Sequence, residues 1–434
     1  MDKDGKIGIG LLGLGVVGAE VAHTLIQEAE RLAHKAGRPL FLCGALVRDM
    51  AKPRDSEVPL RLLTVDPADI LNNPQVDVVV ELLGGEEPAV DYLRTALSQG
   101  KHAVTANKDV MATHGPELIR LAEERGVNLA YEASVGGGIP IIGPLQKDLL
   151  ANEITSLHGI INGTTNYILT RMSQEGMDFQ VALRHAQELG YAEADPTKDI
   201  EGMDAAFKLA IVASLAFHTR VEVGDVYREG ISRLGSRDFQ YAQELGYTIK
   251  LLAVAQRDGD GLSLRVHPAM VPNEHLLSNV NGVLNAVEIE GDLVGRVVFH
   301  GQGAGPCPTS SAVIGDILDV SRSIAYGRSP ARGVTLDGGL RILPMEELVT
   351  QYYARLTVAD RAGVLAQIAE VLGNLDISIA SVIQKNTDAA SQTAEIVVMT
   401  HPAKEAHIRQ AAHQMEASGV VQDVSSVIRV EQWT

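Results

Sequence analysis

The segment Gly13-Leu14-Gly15-Val16-Val17-Gly18 constrains the fold more than any other, because it follows the apolar run 7–12 directly and opens a helical pattern. Between a parallel strand and a helix, the first glycine makes the tight turn and the second lets the backbone approach a pyrophosphate. The third admits close helix-to-strand contact, and the phosphates sit at the helix N-terminus. The alternative, a glycine-rich turn that holds no ligand, is disfavoured by what surrounds it. As far as about residue 135, short apolar runs alternate with amphipathic stretches, the pattern of a parallel sheet covered on both faces by helices. Strands are expected at 7–12, 40–47, 76–82, 102–106 and 128–132, and helices near 17–36, 88–99 and 116–125. This is a doubly wound, Rossmann-type α/β reading.

The chain of 434 residues is long enough for about three domains. A nucleotide-binding domain is expected over 1–138, completed by about 303–335, and a central α+β domain over 139–302. In the central part longer helices (179–189, 203–218) give way to alternating strands such as 263–266. Two helices end in the same phrase, Ala186-Gln187-Glu188-Leu189-Gly190-Tyr191 and Ala242-Gln243-Glu244-Leu245-Gly246-Tyr247, each with glycine where a C-terminal cap takes positive φ. Residues 336–349, with Gly338, Gly339 and Pro344, read as a linker. Beyond it the order strand 352–358, helix 363–374, strands 377–384 and 394–401, helix 404–418 and strand 423–430 predicts a βαββαβ, ferredoxin-like module over 350–434.

Lys plus Arg number 37 against 55 Asp plus Glu, so a formal charge of -18 argues against a nucleic-acid partner. Lys3 and Lys6 ahead of the apolar run 7–18 imitate a secretory signal, but Asp2, Asp4 and the glycines inside the run argue against one. No uninterrupted apolar stretch approaches the roughly 18 residues of a membrane span. The only cysteines, Cys43 and Cys307, exclude a disulfide scaffold or a Cys-rich zinc site and fit a reducing cytoplasm.

The residue that selects between NAD and NADP is expected at the end of the second strand. That position falls at Arg48-Asp49, followed by Lys52 and Arg54, a basic cluster suited to the 2′-phosphate of NADP rather than to bare ribose hydroxyls. Read instead as solvated loop charges, these residues would leave the preference open. Ligands of doubly wound sheets gather beyond the carboxyl ends of the strands, here Leu83-Gly84-Gly85, Asn107-Lys108 and Ala133-Ser134-Val135-Gly136-Gly137-Gly138. Lys108 is the only cation among them, either a site residue or an exposed loop lysine. Further on, Asp204 and Lys208 lie four apart on an otherwise apolar helix. They form either an exposed ion pair worth a few tenths of a kcal/mol or an acid/base unit. Hydride transfer to a carbonyl leaves an alkoxide that needs a positioned proton donor, which a lysine beside a carboxylate supplies. A substrate ammonium would need carboxylates such as Glu193 and Asp199.

With these residues in view, the chain resembles homoserine dehydrogenase over essentially its full length. The resemblance is carried by the glycine fingerprint, Asn107-Lys108, Glu132-Ala133-Ser134-Val135-Gly136-Gly137-Gly138-Ile139-Pro140, Asn162-Gly163-Thr164-Thr165-Asn166-Tyr167, Glu193-Ala194-Asp195-Pro196 through Asp199, Gly202, Asp204 and Lys208, and Gly303-Ala304-Gly305 with Pro308-Thr309. The tail, with Asp360-Arg361-Ala362-Gly363-Val364-Leu365 at its first strand-to-helix turn, resembles an ACT domain, an amino-acid-sensing module. The resemblance implies NAD(P)-dependent interconversion of aspartate 4-semialdehyde and L-homoserine on the way to threonine and methionine, with feedback by an amino acid, threonine first. It implies Lys208 and Lys108 as catalytic lysines, Asp204 as the carboxylate supporting Lys208, and Glu193, Asp199, Gly163 and Thr164 as substrate-binding. Gly84, Asn107, Lys108 and Gly303 would approach the cofactor with the fingerprint and Arg48. Main-chain oxygens of Glu132, Val135, Gly137 and Ile139 would hold a monovalent cation, sodium first. A homodimer or homotetramer is expected.

The chain departs from the family pattern twice. Asp109 follows Asn107-Lys108 where a small apolar residue is usual, and Pro306-Cys307-Pro308 stands where further glycines are common. Cys307 reads as an inert loop thiol or a redox-sensitive one, and Cys43 as core packing. Two rival readings remain: a semialdehyde dehydrogenase, for which Cys307 is the candidate nucleophile, and a non-catalytic nucleotide-binding sensor. A sensor has no need of acid/base lysines.

Overall fold

A computed structural model describes residues 5–52, 58–328, 336, 339–388 and 392–433. Arg54 and Gly338 lie outside the described residues. The chain forms two compact units, one of Met1–Leu157, Phe207–Gly224 and Asn285–Gly339, the other of His158–Ala206, Asp225–Leu284 and Leu340–Thr434.

The first unit is built on a six-stranded sheet in the order Leu63–Thr64, Leu40–Leu46, Ile7–Leu12, Val78–Glu81, His102–Thr105, Leu129–Ala130. All its pairings are parallel. Alternation along a strand buried on both faces decides what packs where. Val78 and Val80 join Ile7, Ile9 and Leu11 in one core with Val21, Leu25 and Leu32, whereas Val79 faces Leu12, Leu46 and Ala96 in another. The helix Pro306–Ala325 returns to the first face with Val313, Ile317 and Val320, and its Ser310 hydroxyl donates to Val17 O over 3.3 Å.

Three boundaries differ from the expected ones. The helix expected at 17–36 is two, Val16–Gln27 and Ala29–Ala36, interrupted at Glu28, where φ is -108°. Leu25 and Leu32 still reach one core, so the interruption leaves the packing face intact. The helix expected from 116 begins at Lys108, because the Asn107 side chain caps it by accepting from Val110 N over 3.2 Å. Pro116, which reads as a starting residue, sits inside and forgoes one helical bond. The strand expected at 128–132 shrinks to Leu129–Ala130. There the chain turns so that the Glu132 carboxylate can accept from Ile141, Ile142 and Gly143 N at 2.5, 2.8 and 2.6 Å, capping the next helix.

In the second unit a hairpin of two twelve-residue strands, Tyr247–Asp258 and Gly261–Pro272, runs in unbroken antiparallel register. The strand expected at 263–266 is the middle of the second arm. From there one sheet continues through Val421–Val430, Val349–Ala359, Thr393–Thr400 and Ile379–Asp388. The join is a short parallel pairing of Ala269 with Arg429 and Met270 with Val430. The last four strands, with helices Val364–Asn374 and Glu405–Ala417, are the expected βαββαβ module around Tyr352, Leu356, Ile368, Ile396 and Ile408. Within 336–349, Arg341–Ile342 pairs parallel to Gly261–Leu262. Both repeated phrases carry a left-handed glycine after the helix, Gly190 at φ 74° and Gly246 at φ 85°.

Candidate functional site

In the first unit each fingerprint glycine has its own physical reason. Gly13 takes φ 109°, a conformation that L side chains rarely adopt. A Cβ on Gly18 would lie 2.3 Å from Gly13 O, so the helix meets the strand only without one. Gly15, at the helix start, has open space where a Cβ would be, which leaves its backbone accessible to a phosphate. Gly13 and Gly15 open onto a cleft of about 620 Å³ that is also lined by Leu14, Arg48, Asp49, Lys52, Gly84 and Tyr92. The exposed Arg48 therefore shares one cleft with the phosphate turn. The donor set and the glycine cradle fit a dinucleotide.

Beneath this cleft lies a residue that motif reading passed over. Glu81, fully buried at the end of its strand, accepts from the Thr105 hydroxyl at 2.6 Å and from Leu83 N at 2.7 Å. Burial pushes its carboxyl above the usual range, with these hydrogen bonds opposing. Asn107 Nδ2 lies 3.5 Å from the same carboxylate and donates to Gly85 O at 2.6 Å. Glu81 thus fixes both the Gly84-Gly85 turn and the Asn107 cap that starts the helix at Lys108. The signal was an acid closing an all-valine buried strand. Lys108 and Asp109 are half-buried in that first turn.

The return loop is packed too closely for side chains. A Cβ on Gly137 would lie 2.4 Å from Gly303 O, and one on Gly303 would lie 2.0 Å from Asn285 Nδ2. Gly136 and Gly137 are both left-handed, at φ 72° and 55°. The Glu132 carboxylate accepts from three backbone N–H groups, and the main chain of the same loop offers further oxygens. Oxygen ligands of that kind suit a hard ion. Among the described residues no cluster of three or more His, Cys, Asp or Glu side chains could hold a metal. Cys307 is exposed in the first turn of Pro306–Ala325, and Cys43 is half-buried.

In the second unit a strand leads to Asn162, which caps the helix Gly163–Glu175 by accepting from Thr165 N at 2.9 Å. Its Nδ2 donates to Asp199 Oδ1 and Asp204 Oδ2, both at 2.8 Å. One buried amide therefore holds two of the singled-out carboxylates together. Asn-Gly-Thr-Thr advertises a cap, but nothing in it reveals that the same side chain bridges Asp199 and Asp204. The Thr164 hydroxyl donates to Tyr191 O at 2.7 Å, which ties the helix start to the 191–201 loop. Glu193 is exposed in that loop, and Gln187 Nε2 donates to its carbonyl at 3.1 Å. Asp204 is buried, and the half-buried Lys208 follows one turn further along the same helix, Met203–Ala216, in the part that belongs to the first unit; a spacing of four puts both on one face of that helix.

The first unit has a dinucleotide cleft on a doubly wound sheet and the second a carboxylate pair bridged by one amide, and the class these features define is an NAD(P)-dependent oxidoreductase. Comparison with known proteins then specifies which. Residues 140–318 match the homoserine dehydrogenase family, 13–132 its NAD binding domain and 352–418 the ACT domain. A homoserine dehydrogenase of Neisseria gonorrhoeae is 43% identical over 98% of both chains. A crystal structure of a homoserine dehydrogenase from Thiobacillus denitrificans superposes with a TM-score of 0.91 at 43% identity over 98% of both chains. A hyperthermophilic archaeal homoserine dehydrogenase in complex with NADPH matches 73% of this chain and 98% of its own, with a TM-score of 0.61 and 28% identity. The chain belongs to the homoserine dehydrogenase family and ends in an ACT domain.

Proposed function

We propose that this enzyme interconverts aspartate 4-semialdehyde and L-homoserine for threonine and methionine synthesis, with NADP favoured over NAD. The observation that carries the site assignment is the Asn162 bridge, which sets Asp199 and Asp204 together with Lys208 one turn beyond. In this reading Glu193 and Asp199 hold the substrate's ammonium, and Gly163 and Thr164 shape the same pocket. Lys208, supported by Asp204, gives its proton to the developing alkoxide or takes it back, and Lys108 assists at the carbonyl. The bound nicotinamide supplies the hydride. Gly13 through Gly18 seat the pyrophosphate, Gly84, Asn107 and Gly303 approach the cofactor, and Arg48 beside Lys52 favours a 2′-phosphate. The archaeal relative with NADPH supports that preference.

Main-chain oxygens of Glu132, Val135, Gly137 and Ile139 hold a sodium-like cation. The domains run 1–138 with about 303–335, 139–302 and 350–434, joined by 336–349. Threonine acts at the ACT domain through the exposed turn at 360–363. A homodimer or homotetramer fits the strand Ile379–Asp388, which ends its sheet with Val382 exposed. Two free cysteines fit a reducing cytoplasm, and no helix among the described residues is long and apolar enough to cross a membrane.

The test is initial rates of NADPH oxidation with aspartate 4-semialdehyde, wild type beside Lys208→Ala. We expect kcat to fall by roughly 10²–10⁴, the range of a lost general acid, with NADPH binding retained. A variant as fast as wild type would remove Lys208 from the mechanism, and a wild type with no turnover would return the sensor reading.

A further inference from the structure

Inside the second unit a chain of short polar contacts runs from the ACT fold to the loop that carries Asp199. It begins at Arg429, on the last strand, whose guanidinium is buried and grips the buried Glu405 carboxylate, with Nε at 2.8 Å. Tyr352 and Arg409 also donate to Glu405, at 2.9 and 2.8 Å. The remaining arm of Arg429 reaches out of the ACT fold to Glu229 Oε2 at 2.6 Å, and the Tyr227 hydroxyl donates to the same oxygen at 3.2 Å.

Glu229 belongs to a narrow strap. Tyr227 and Arg228 pair with Arg265 and Val266, and Glu229 N donates to Val266 O at 2.8 Å. The next three residues contact the substrate loop. A Cβ on Gly230 would lie 2.6 Å from Ile200 O, Ile231 N donates to Ile200 O at 2.9 Å, and the Ser232 hydroxyl donates to Glu201 Oε1 at 2.9 Å. Ile200 follows Asp199 directly, and Asp199 accepts from Asn162. A cleft of about 630 Å³ runs alongside, lined by Glu201, Glu229, Gly230, Ser232 and Arg429 among others. On that side the strap is held by ion pairs and hydrogen bonds rather than by packed side chains.

We propose that Glu229 is a positioning residue for the substrate site: gripped by Arg429 of the ACT fold, it fixes the 227–232 strap and through it the placement of Asp199. This rests on the reading of Asp199 as substrate-binding. It also goes beyond that reading, since it assigns the ACT fold a part in substrate affinity before any effector arrives.

The test uses the full chain and compares Glu229→Gln, Ser232→Ala, Asp199→Asn and the Glu229→Gln/Asp199→Asn pair. We expect Glu229→Gln to raise KM for aspartate 4-semialdehyde about tenfold, the size of a lost charged hydrogen bond. The KM for NADPH, kcat and the melting temperature should stay near wild type. Ser232→Ala, an exposed change that folding tolerates, should show the same selective rise at smaller size. In the Asp199→Asn background Glu229→Gln should add little, because both act through one carboxylate. An unchanged substrate KM in Ser232→Ala and Glu229→Gln, while Asp199→Asn raises it, overturns the positioning role and leaves the substrate reading intact. No effect of Asp199→Asn on substrate KM means that the substrate reading itself has failed. Full additivity in the double variant, or equal rises in both KM values, also overturns the proposal.

Discussion

Asn162 shows how much a single side chain can hold. Its carbonyl oxygen caps a helix while its amide group serves two carboxylates, and leaving such groups unpaired costs more than the bonds contribute when present. Asn162→Ala is therefore expected to lower kcat/KM by about 10², the equivalent of roughly 3 kcal/mol, with dinucleotide binding unchanged. Steady-state rates and NADPH titration check both parts. At this scale the sequence was informative where chemistry is local. The roles of Gly13, Gly15 and Gly18 follow from a turn of fixed length, and Asp204 and Lys208 share a face because four residues make one helical turn. Asn162 as a bridge and Glu81 as a buried support were hidden, because each acts on residues 20 or more positions away.

Elements were legible in kind and less so in extent. Most strands and helices of the parallel sheet fall within a few residues of their expected places, since burial on both faces imposes continuous apolar runs, but the edge strand Leu63–Thr64 has no expected counterpart. Pro116 imitates a beginning, so the pattern alone shortens the helix that starts at Lys108, and the Asn107 cap shows where it begins. How elements are pinned together was not legible at all, as Lys250 illustrates. It sits in the middle of an apolar strand, almost wholly buried, and donates to Val280 O, Asn281 Oδ1 and Asn166 Oδ1, fastening the 280–281 turn to the helix Gly163–Glu175. Burial brings its ammonium down to about 8 from 10.5. Below pH 8 the lysine is protonated both folded and unfolded, so it adds no pH dependence. Between about 8 and 10.5 the unfolded chain holds the proton more often, so stability rises with pH over that window. The expected gain is at most roughly 1 kcal/mol per pH unit. Denaturant melts at pH 8 and 9.5 should show it in wild type and not in Lys250→Met. A parallel response in the two proteins would remove Lys250 as its source.

For the molecule as a whole, the sequence pattern separates a nucleotide-binding half, a central region and a tail module, but periodicity reports an element and not the body it joins. The chain passes between the two units several times, and the helix Met203–Ala216 belongs partly to each. Nor does any local pattern announce that the ACT strands continue the sheet that holds 247–272. That continuity changes an expectation about truncation. A deletion before Tyr352 would by itself be the simplest way to relieve the proposed feedback inhibition. It would also strip one of the two strand partners from Ala269 and Met270 and leave buried Arg265 and His158 without Glu431, which lies 2.7 and 3.3 Å from them. Removing one partner of a buried pair costs about 3–5 kcal/mol, so the truncated chain is expected to aggregate rather than to work unregulated. Size-exclusion chromatography of residues 1–351 checks this, and an active, non-aggregating product insensitive to millimolar threonine would sink it. The shared sheet has a consequence for descent as well. A module joined by a flexible tether can be exchanged between lineages as a cassette, whereas one whose strands complete another body's sheet has to be inherited together with it. Natural changes in effector response should therefore arise by single replacements inside the ACT fold, and hybrids built by cutting at 336–349 should fail unless residues 265–270 come from the same parent as the tail.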